Sequence, residues 1–302
     1  MDMPEVAGVT HRTVTARGLR FHVAEAGDGV PLVLLHGFPQ HWYAWRRLVP
    51  LLPGRRLIMP DLRGCGWTDA PRTGYDIDTL AGDVVALVHA LGLDRVQLAG
   101  HDWGAMIGFR IRATRPDLLT GLVAVNALPP HPARGPLVRH AWRQWHTALI
   151  EYPVIGAWML RRPGTVPFLL RRGAPTLWTQ DELLAYAAPF TERARARAGQ
   201  QLHWQFVLRD IPRLLRRDQE LSPVPASLLF ATRDPQFALA QVAGAHDLTI
   251  RLVDGAGHYL PEERPDLVAA AISEARTTGS AAQPAGSSAQ PAGEPVDGPA
   301  VG

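Results

Sequence analysis

The chain has 302 residues, of which 46% are hydrophobic and 20% are charged, a composition that is ordinary for a globular protein with a core of normal size. Its single cysteine, Cys65, excludes a disulfide framework and a multi-cysteine metal site. No run of 18 apolar residues occurs, and the first residues lack the basic and apolar regions of a secretory signal, so we expect a cytoplasmic protein without a membrane span.

The net charge is +3, and every one of the 31 basic residues is Arg. Residues 127–220 contain 14 Arg against 7 Asp and Glu, so this segment is strongly basic. A basic segment can attract an anionic ligand or surface, although solvated helical faces carry such charge more often. The Arg pairs lack the interleaved pattern of nucleic-acid-binding motifs, so we expect no nucleic-acid partner.

The first predicted elements are strands. Residues 13–26 alternate weakly between apolar and polar side chains and break at Gly18, which predicts an antiparallel pair. Pro31–Leu35 is a short continuous apolar run, which is typical of a strand buried on both faces. Similar runs follow at Arg56–Met59, Val96–Ala99, Leu122–Val125, Ser227–Ala231 and Leu248–Val253.

Helical patterns separate most of these strands. Apolar residues recur at spacings of three and four in Trp42–Leu52, Ile77–Leu91, Trp103–Ala113 and Asp266–Ala275. Strands and helices in alternation predict an α/β fold, in which helices flank an open and mostly parallel central sheet.

The alternation stops near Leu128 and resumes near Pro225. Residues 128–220 are rich in Trp, Arg and Pro and predict several short helices, so we expect a helical cap inserted into a core made of residues 1–127 and 221–276. Residues 277–302 have no aromatic side chain and few large aliphatic ones. Such a segment cannot bury enough apolar area to offset its ordering entropy, and we expect a disordered tail.

The motif GHDWG at residues 100–104 is the most informative part of the chain. A predicted strand precedes it and a predicted helix follows, which is the context of the nucleophile elbow, G-x-nucleophile-x-G. The glycines permit a tight turn that raises the central side chain above the sheet edge, at the positive end of the helix. That central residue is Asp102, for which a helix N-cap is the purely structural alternative.

A carboxylate in this position predicts a particular chemistry. It is a poor nucleophile toward a carbonyl group, because the product would be an anhydride. It can instead displace a leaving group from a saturated carbon and form an alkyl ester of the enzyme. Release of that ester requires a water molecule, a general base and an oxyanion hole.

Candidates for the base and its orienting acid follow the last two predicted strands. His258 lies in GAGHY after the final strand, and Asp234 lies in ATRD after the strand before it. An acid after Leu122–Val125 would fall near Asn126, which does not ionise, so we favour Asp234. The carboxyl ends of parallel strands meet at one edge of a sheet, so Asp102, His258 and Asp234 are expected to come together as a catalytic triad.

The predicted oxyanion hole consists of two backbone amides. The motif HGFP at residues 36–39 ends the first buried strand and would contribute the amide of Phe38. The second amide would come from Trp103, the residue after the predicted nucleophile.

These motifs resemble those of the α/β-hydrolase superfamily over roughly residues 10–276, and GHDWG with HGFP is similar to the epoxide hydrolases within it. The resemblance implies an α/β-hydrolase fold and an enzyme that opens an epoxide to a vicinal diol, with a small-molecule substrate and neither cofactor nor metal. The sequence predicts nothing about oligomeric state.

The resemblance also implies two cap tyrosines that bind the epoxide oxygen and protonate it. By rough spacing, those two positions hold His146 and His203 in this chain, and a histidine can take the same role. Tyr152 and Tyr186 lie several residues away from them and are the reserve candidates.

Two other functions remain possible at this point. A haloalkane dehalogenase would use the same triad, with the Trp103 indole as one halide donor. Phe38 offers no second side-chain donor, so the other donor would be a cap tryptophan, namely Trp142, Trp145, Trp178 or Trp204. A ligand receptor without catalysis is less compatible with a site in which every catalytic position is occupied.

Overall fold

The computed structural model describes residues 2–216, 222–242 and 245–280. Its centre is an eight-stranded sheet with the order β1-β2-β4-β3-β5-β6-β7-β8, in which β1, β2 and β4 pair antiparallel and the other neighbours pair parallel. The strands are β1 (Val9–Ala16), β2 (Leu19–Ala26), β3 (Val30–Leu35), β4 (Arg55–Pro60), β5 (Val96–His101), β6 (Leu119–Val125), β7 (Ala226–Ala231) and β8 (Thr249–Val253). The predicted fold class, a mostly parallel α/β-hydrolase sheet flanked by helices, is confirmed.

The α-helices are α1 (Ile77–Ala90), α2 (Trp103–Thr114), α3 (Arg134–Arg139), α4 (Trp145–Glu151), α5 (Ile155–Leu160), α6 (Thr165–Gly173), α7 (Gln180–Ala187), α8 (Arg193–Gln205), α9 (Ile211–Arg216), α10 (Leu239–Val242), α11 (Leu260–Glu263) and α12 (Pro265–Ser280). Short 3₁₀ segments lie at Trp42–Leu51, Pro116–Leu118, Ala141–Gln144 and Ala188–Thr191, and Phe206–Asp210 is π-helical. The helix predicted at Trp42–Leu52 is therefore a 3₁₀ segment that ends one residue earlier.

The central strands are apolar throughout because both faces of the sheet are covered. Along β3, Val33 and Leu35 point into the cluster that packs against α1 and α2. Leu32 and Leu34 point to the opposite face, where they join Trp45 and the apolar side of α12. Alternate side chains of one strand thus enter two different cores, as the pleat of a strand requires.

Helices α3 to α9 lie between β6 and β7 in the chain. An ionic network joins one of them, α7, to the core. Arg46 donates to Glu262 at 2.6 Å, and Arg47 donates to Glu182 of α7 at 2.9 Å. The Tyr186 hydroxyl, also on α7, donates to Glu262. Loss of one partner from such a network would leave a buried charge uncompensated, so these contacts hold α7 in a defined position above the sheet.

The C-terminal boundary differs from the prediction. Helix α12 continues to Ser280, so residues 277–280 are helical and do not belong to a tail. The remainder of the predicted tail, residues 281–302, lies outside the described residues. No helix in the described ranges has both the length and the apolar character needed to cross a lipid bilayer.

Candidate active site

The turn between β5 and α2 is sharp and strained, and it carries Asp102. This residue has φ +52° and ψ −115°, a combination that residues other than glycine rarely adopt and that is typical of functional sites. A Cβ atom at Gly100 would overlap the backbone of Gly104, and one at Gly104 would overlap the carbonyl oxygen of Leu35. Both glycines of the motif are therefore required for the strand and the helix to approach so closely.

The Asp102 carboxyl group is held by the two amides that the sequence suggested for an oxyanion hole. The Phe38 N–H donates to Asp102 Oδ2 at 3.0 Å, and the backbone N–H of Trp103 also favours the charged form of this carboxyl group. Burial raises the pKa of Asp102 above its ordinary value, and the charge of His258 and the two amides oppose that rise. One carboxyl oxygen, Oδ2, is thus held in place by a backbone amide.

The imidazole of His258 is completely buried and directed by Asp234. Its Nδ1 lies 2.9 Å from Asp234 Oδ2, whereas its Nε2 makes no hydrogen bond with any described residue. Burial alone would lower the pKa of His258, but the carboxylates of Asp234 and Asp102 outweigh it and raise this pKa above 6.5. The ring therefore presents an unpartnered Nε2 and is suited to accept a proton.

Asp234 is fixed by its own loop. Its Oδ1 accepts hydrogen bonds from the backbone N–H groups of Gln236 at 2.7 Å and Phe237 at 3.2 Å, which leaves Oδ2 for His258. The first residues after β7 therefore orient the carboxylate, and the carboxylate orients the imidazole.

Asn126 has a structural role that its inability to ionise does not reveal in the sequence. Its Nδ2 donates to the carbonyl oxygens of His258 at 2.7 Å and Gly257 at 2.9 Å, and its Oδ1 accepts from Ala231 N at 2.8 Å. Asn126 itself has a φ of +42°, which asparagine tolerates better than most residues. It thereby links the ends of β6 and β7 to the loop that carries His258.

A cavity of about 270 Å³ lies between the sheet edge and the cap. Asp102, Phe38 and Trp103 form part of its floor, and His146 and His203 reach it from the cap. Most of the remaining wall is apolar, as expected for a small-molecule site.

The two cap histidines have opposite hydrogen-bonding characters. Arg172 Nε donates to His146 Nδ1 at 3.1 Å, so His146 carries its proton on Nε2. His203 Nδ1 lies 2.8 Å from the carbonyl oxygen of Gly199 and must donate to it, which leaves Nε2 as an acceptor. Burial lowers the pKa of both rings to about 4, for His146 with help from the charge of Arg172, so both are neutral near pH 7.

The reserve tyrosines do not reach this cavity. Tyr152 is 60% exposed on the surface of the cap. Tyr186 is fully buried, but its hydroxyl group faces Glu262 and Arg46 in the ionic network. Sequence spacing does not determine which face of a short helix is turned toward the sheet, so both tyrosines were compatible with the sequence.

A parallel sheet of this order, a strained strand–helix turn and an Asp–His pair at the carboxyl edge together define the α/β-hydrolase class. Comparison with known proteins agrees. The family model described as the alpha/beta hydrolase fold matches residues 30–151.

Two relatives extend this similarity over nearly the whole chain. The soluble epoxide hydrolase of Corynebacterium sp. is 31% identical over 277 residues, which cover 86% of this chain and 94% of that protein. Epoxide hydrolase A of Mycobacterium tuberculosis is 30% identical, with 89% of this chain and 97% of that protein covered. The solved structure of the epoxide hydrolase CorEH without ligand is 30% identical, with a TM-score of 0.72 over 89% of this chain and 99% of that one. The chain therefore belongs to the α/β-hydrolase family and within it is epoxide hydrolase-like.

Proposed function

We propose that this protein hydrolyses an epoxide to a vicinal diol through a covalent ester on Asp102. The observation that carries the proposal is the hydrogen bond of 3.0 Å from the Phe38 amide to Asp102 Oδ2, at the floor of an apolar cavity. It separates the two carboxyl oxygens into one that is held in the predicted hole and one that is free to attack. The epoxide hydrolases among the relatives support the same reaction class.

In the first step, Asp102 Oδ1 attacks an epoxide carbon from the side opposite to the C–O bond, which breaks. His146 donates a hydrogen bond from Nε2–H to the epoxide oxygen, because Arg172 occupies Nδ1 and leaves the ring proton on Nε2. The alkoxide that develops takes a proton from a water molecule, and the hydroxide ion formed in this way leaves to the solvent. The product of this step is a hydroxyalkyl ester of Asp102.

In the second step, His258 Nε2 takes a proton from a water molecule, and the oxygen of that water attacks Cγ of the ester. The negative charge develops on Oδ2, which already accepts a hydrogen bond from the amide of Phe38, and the amide of Trp103 would be the second donor. Collapse of this intermediate breaks the bond between Cγ and Oδ1. The leaving diol oxygen takes the proton from His258. The carboxylic acid left at Asp102 then loses its proton, which neutralises the hydroxide ion of the first step, and the carboxylate is restored.

The test is to trap the ester. The His258→Gln variant, mixed with styrene oxide, should gain the mass of the substrate at Asp102, as seen by peptide mass spectrometry. Asp102→Asn is the matched control and should gain none. A wild-type enzyme that turns over the epoxide, together with a His258 variant whose mass never changes, would exclude the covalent route.

The dehalogenase alternative uses the same triad but is not favoured. The relatives reported above are epoxide hydrolases, and Phe38 provides no side-chain donor for a halide ion. Diol formation from styrene oxide, measured beside bromide release from 1-bromobutane, separates the two activities. Epoxide binding without turnover would instead indicate a receptor.

A further inference from the structure

The cavity contains a carboxyl group that the proposed reaction does not use. Glu151, the last residue of α4, lines the same cavity as Asp102. His146, Thr147 and Ile150 of this helix line it too. One short cap helix therefore presents both the proposed hydrogen-bond donor and a second acidic side chain to the substrate.

The Glu151 side chain has little support from the rest of the protein. It has no cationic partner among the described residues, and its hydrogen bond there is with Thr147 Oγ1 at 2.9 Å. The same hydroxyl group lies 2.7 Å from the carbonyl oxygen of Gln144, and its single proton cannot serve both acceptors. Burial raises the pKa of Glu151, as expected for a carboxyl group that lacks a counter-ion.

The charges that line the cavity all have one sign. Asp102 and Glu151 are acidic, and no Arg belongs to the part of the wall that the structure describes. In an apolar cavity a carboxylate attracts a cation more strongly than it does in water, and it repels an anion. The cavity is therefore suited to a cationic substrate and unsuited to one that bears a carboxylate.

The positions of the two groups on α4 define a spacing. His146 and Glu151 are five residues apart, which corresponds to a rise of about 7.5 Å along a helix. We propose that Glu151 binds a basic nitrogen of the substrate, at a different position in the cavity from the epoxide oxygen. This inference rests on the proposed function, which places the epoxide oxygen at His146.

The experiment uses two styrene oxides of almost the same shape. One carries a para dimethylaminomethyl group, which is protonated at neutral pH, and the other carries a para isobutyl group. The corresponding diols are bound but not hydrolysed, so their affinities are measured by calorimetry independently of turnover. Both pairs are compared in the wild type, Glu151→Gln and Thr147→Val. Asp181→Asn is the matched control, because it removes an exposed cap carboxylate outside the cavity.

We expect the wild type to bind the ammonium diol more tightly than the isobutyl diol by roughly ten- to a hundredfold, as for a hydrogen bond between charged groups. The ratio of KM values for the two epoxides should show the same preference. Glu151→Gln should bring both ratios close to one, whereas Thr147→Val and Asp181→Asn should retain them.

Equal affinity of the wild type for the two diols would overturn the inference, and so would a preference that survives in Glu151→Gln. If Glu151→Gln does not fold, Asp181→Asn still tests the inference. Loss of the preference for the ammonium diol in Asp181→Asn would overturn it, because Asp181 lies outside the cavity. A preference that depends on Glu151, in an enzyme that hydrolyses neither epoxide, would support the subsite and refute the proposed function instead.

Discussion

Replacement of Asp234 by Asn tests how the site selects the tautomer of its base. Two backbone N–H groups, from Gln236 and Phe237, require an acceptor at the Oδ1 position. The new amide oxygen must therefore remain there, and the NH₂ group takes the place of Oδ2, facing His258 Nδ1 across 2.9 Å. An N–H facing Nδ1 forces that nitrogen to accept, which places the imidazole proton on Nε2.

A base with a proton on Nε2 cannot take one from water, so hydrolysis of the ester should fail while its formation continues. The equivalent change of tautomer in serine proteases lowers kcat by about 10⁴-fold, and we expect a loss of roughly 10³–10⁴-fold here. That loss corresponds to about 4–5.5 kcal/mol in the barrier of the second step.

The assay is a single-turnover measurement of diol release, combined with intact-protein mass to detect the accumulated ester. Asp254→Asn is the matched control, because it removes an exposed carboxylate beyond the end of β8. Normal diol release by Asp234→Asn would refute the reasoning, and so would a slow variant that accumulates no ester.

Three further predictions follow from the same geometry. In the His258→Gln background, His146→Phe should slow ester formation by roughly 10²–10³-fold, which is the cost of losing one hydrogen-bond donor to a developing oxyanion. His203→Phe should slow ester formation much less. Equal effects of the two variants in rapid-quench mass measurements would contradict the assigned tautomers. Tyr186→Phe should retain the wild-type kcat but lower the free energy of unfolding in urea by about 1–3 kcal/mol, because Glu262 loses a hydrogen bond. A large loss of activity would indicate instead that Tyr186 belongs to the active site. The pKa of His258 in the free enzyme should lie above 6.5 and should fall when Asp102 is esterified, because the negative charge of Asp102 then disappears. Since only the neutral ring acts as a base, the acid limb of the pH profile for ester hydrolysis should lie below the His258 pKa measured by NMR in the free enzyme. Identical values would argue against an interaction between Asp102 and His258.

The elements that surround the turn at Asp102 could be predicted because each depends on local chemistry. The apolar strands, Gly100, Gly104 and the order of Asp102, Asp234 and His258 along the chain are all visible in the sequence. A strand that must be apolar on both faces and a turn that cannot hold a Cβ atom leave distinct patterns. Errors at the ends of elements, such as the extension of α12 to Ser280, are small by comparison.

The orientation of the cap side chains could not be predicted from the sequence. Its helices are short, and the direction in which each side chain points depends on contacts with distant residues. The hydrogen bond to Glu262 holds the Tyr186 hydroxyl group outside the cavity, and the hydrogen bond from Arg172 determines the tautomer of His146. Neither partner is close in the sequence to the residue that it controls, so no spacing argument could have separated these candidates.

The sequence by itself determined the α/β core, the strained turn and the chemical identity of the residue placed on it, because strand burial and the lack of a Cβ atom act over a few neighbouring residues. Only the tertiary structure decided which cap side chains share a cavity with Asp102, which nitrogen of each imidazole carries the proton, and that Glu151 enters this cavity without a cationic partner among the described residues. Those properties arise where segments far apart in the chain meet in a buried space, and there the hydrogen bonds and charges of one segment set the protonation of another.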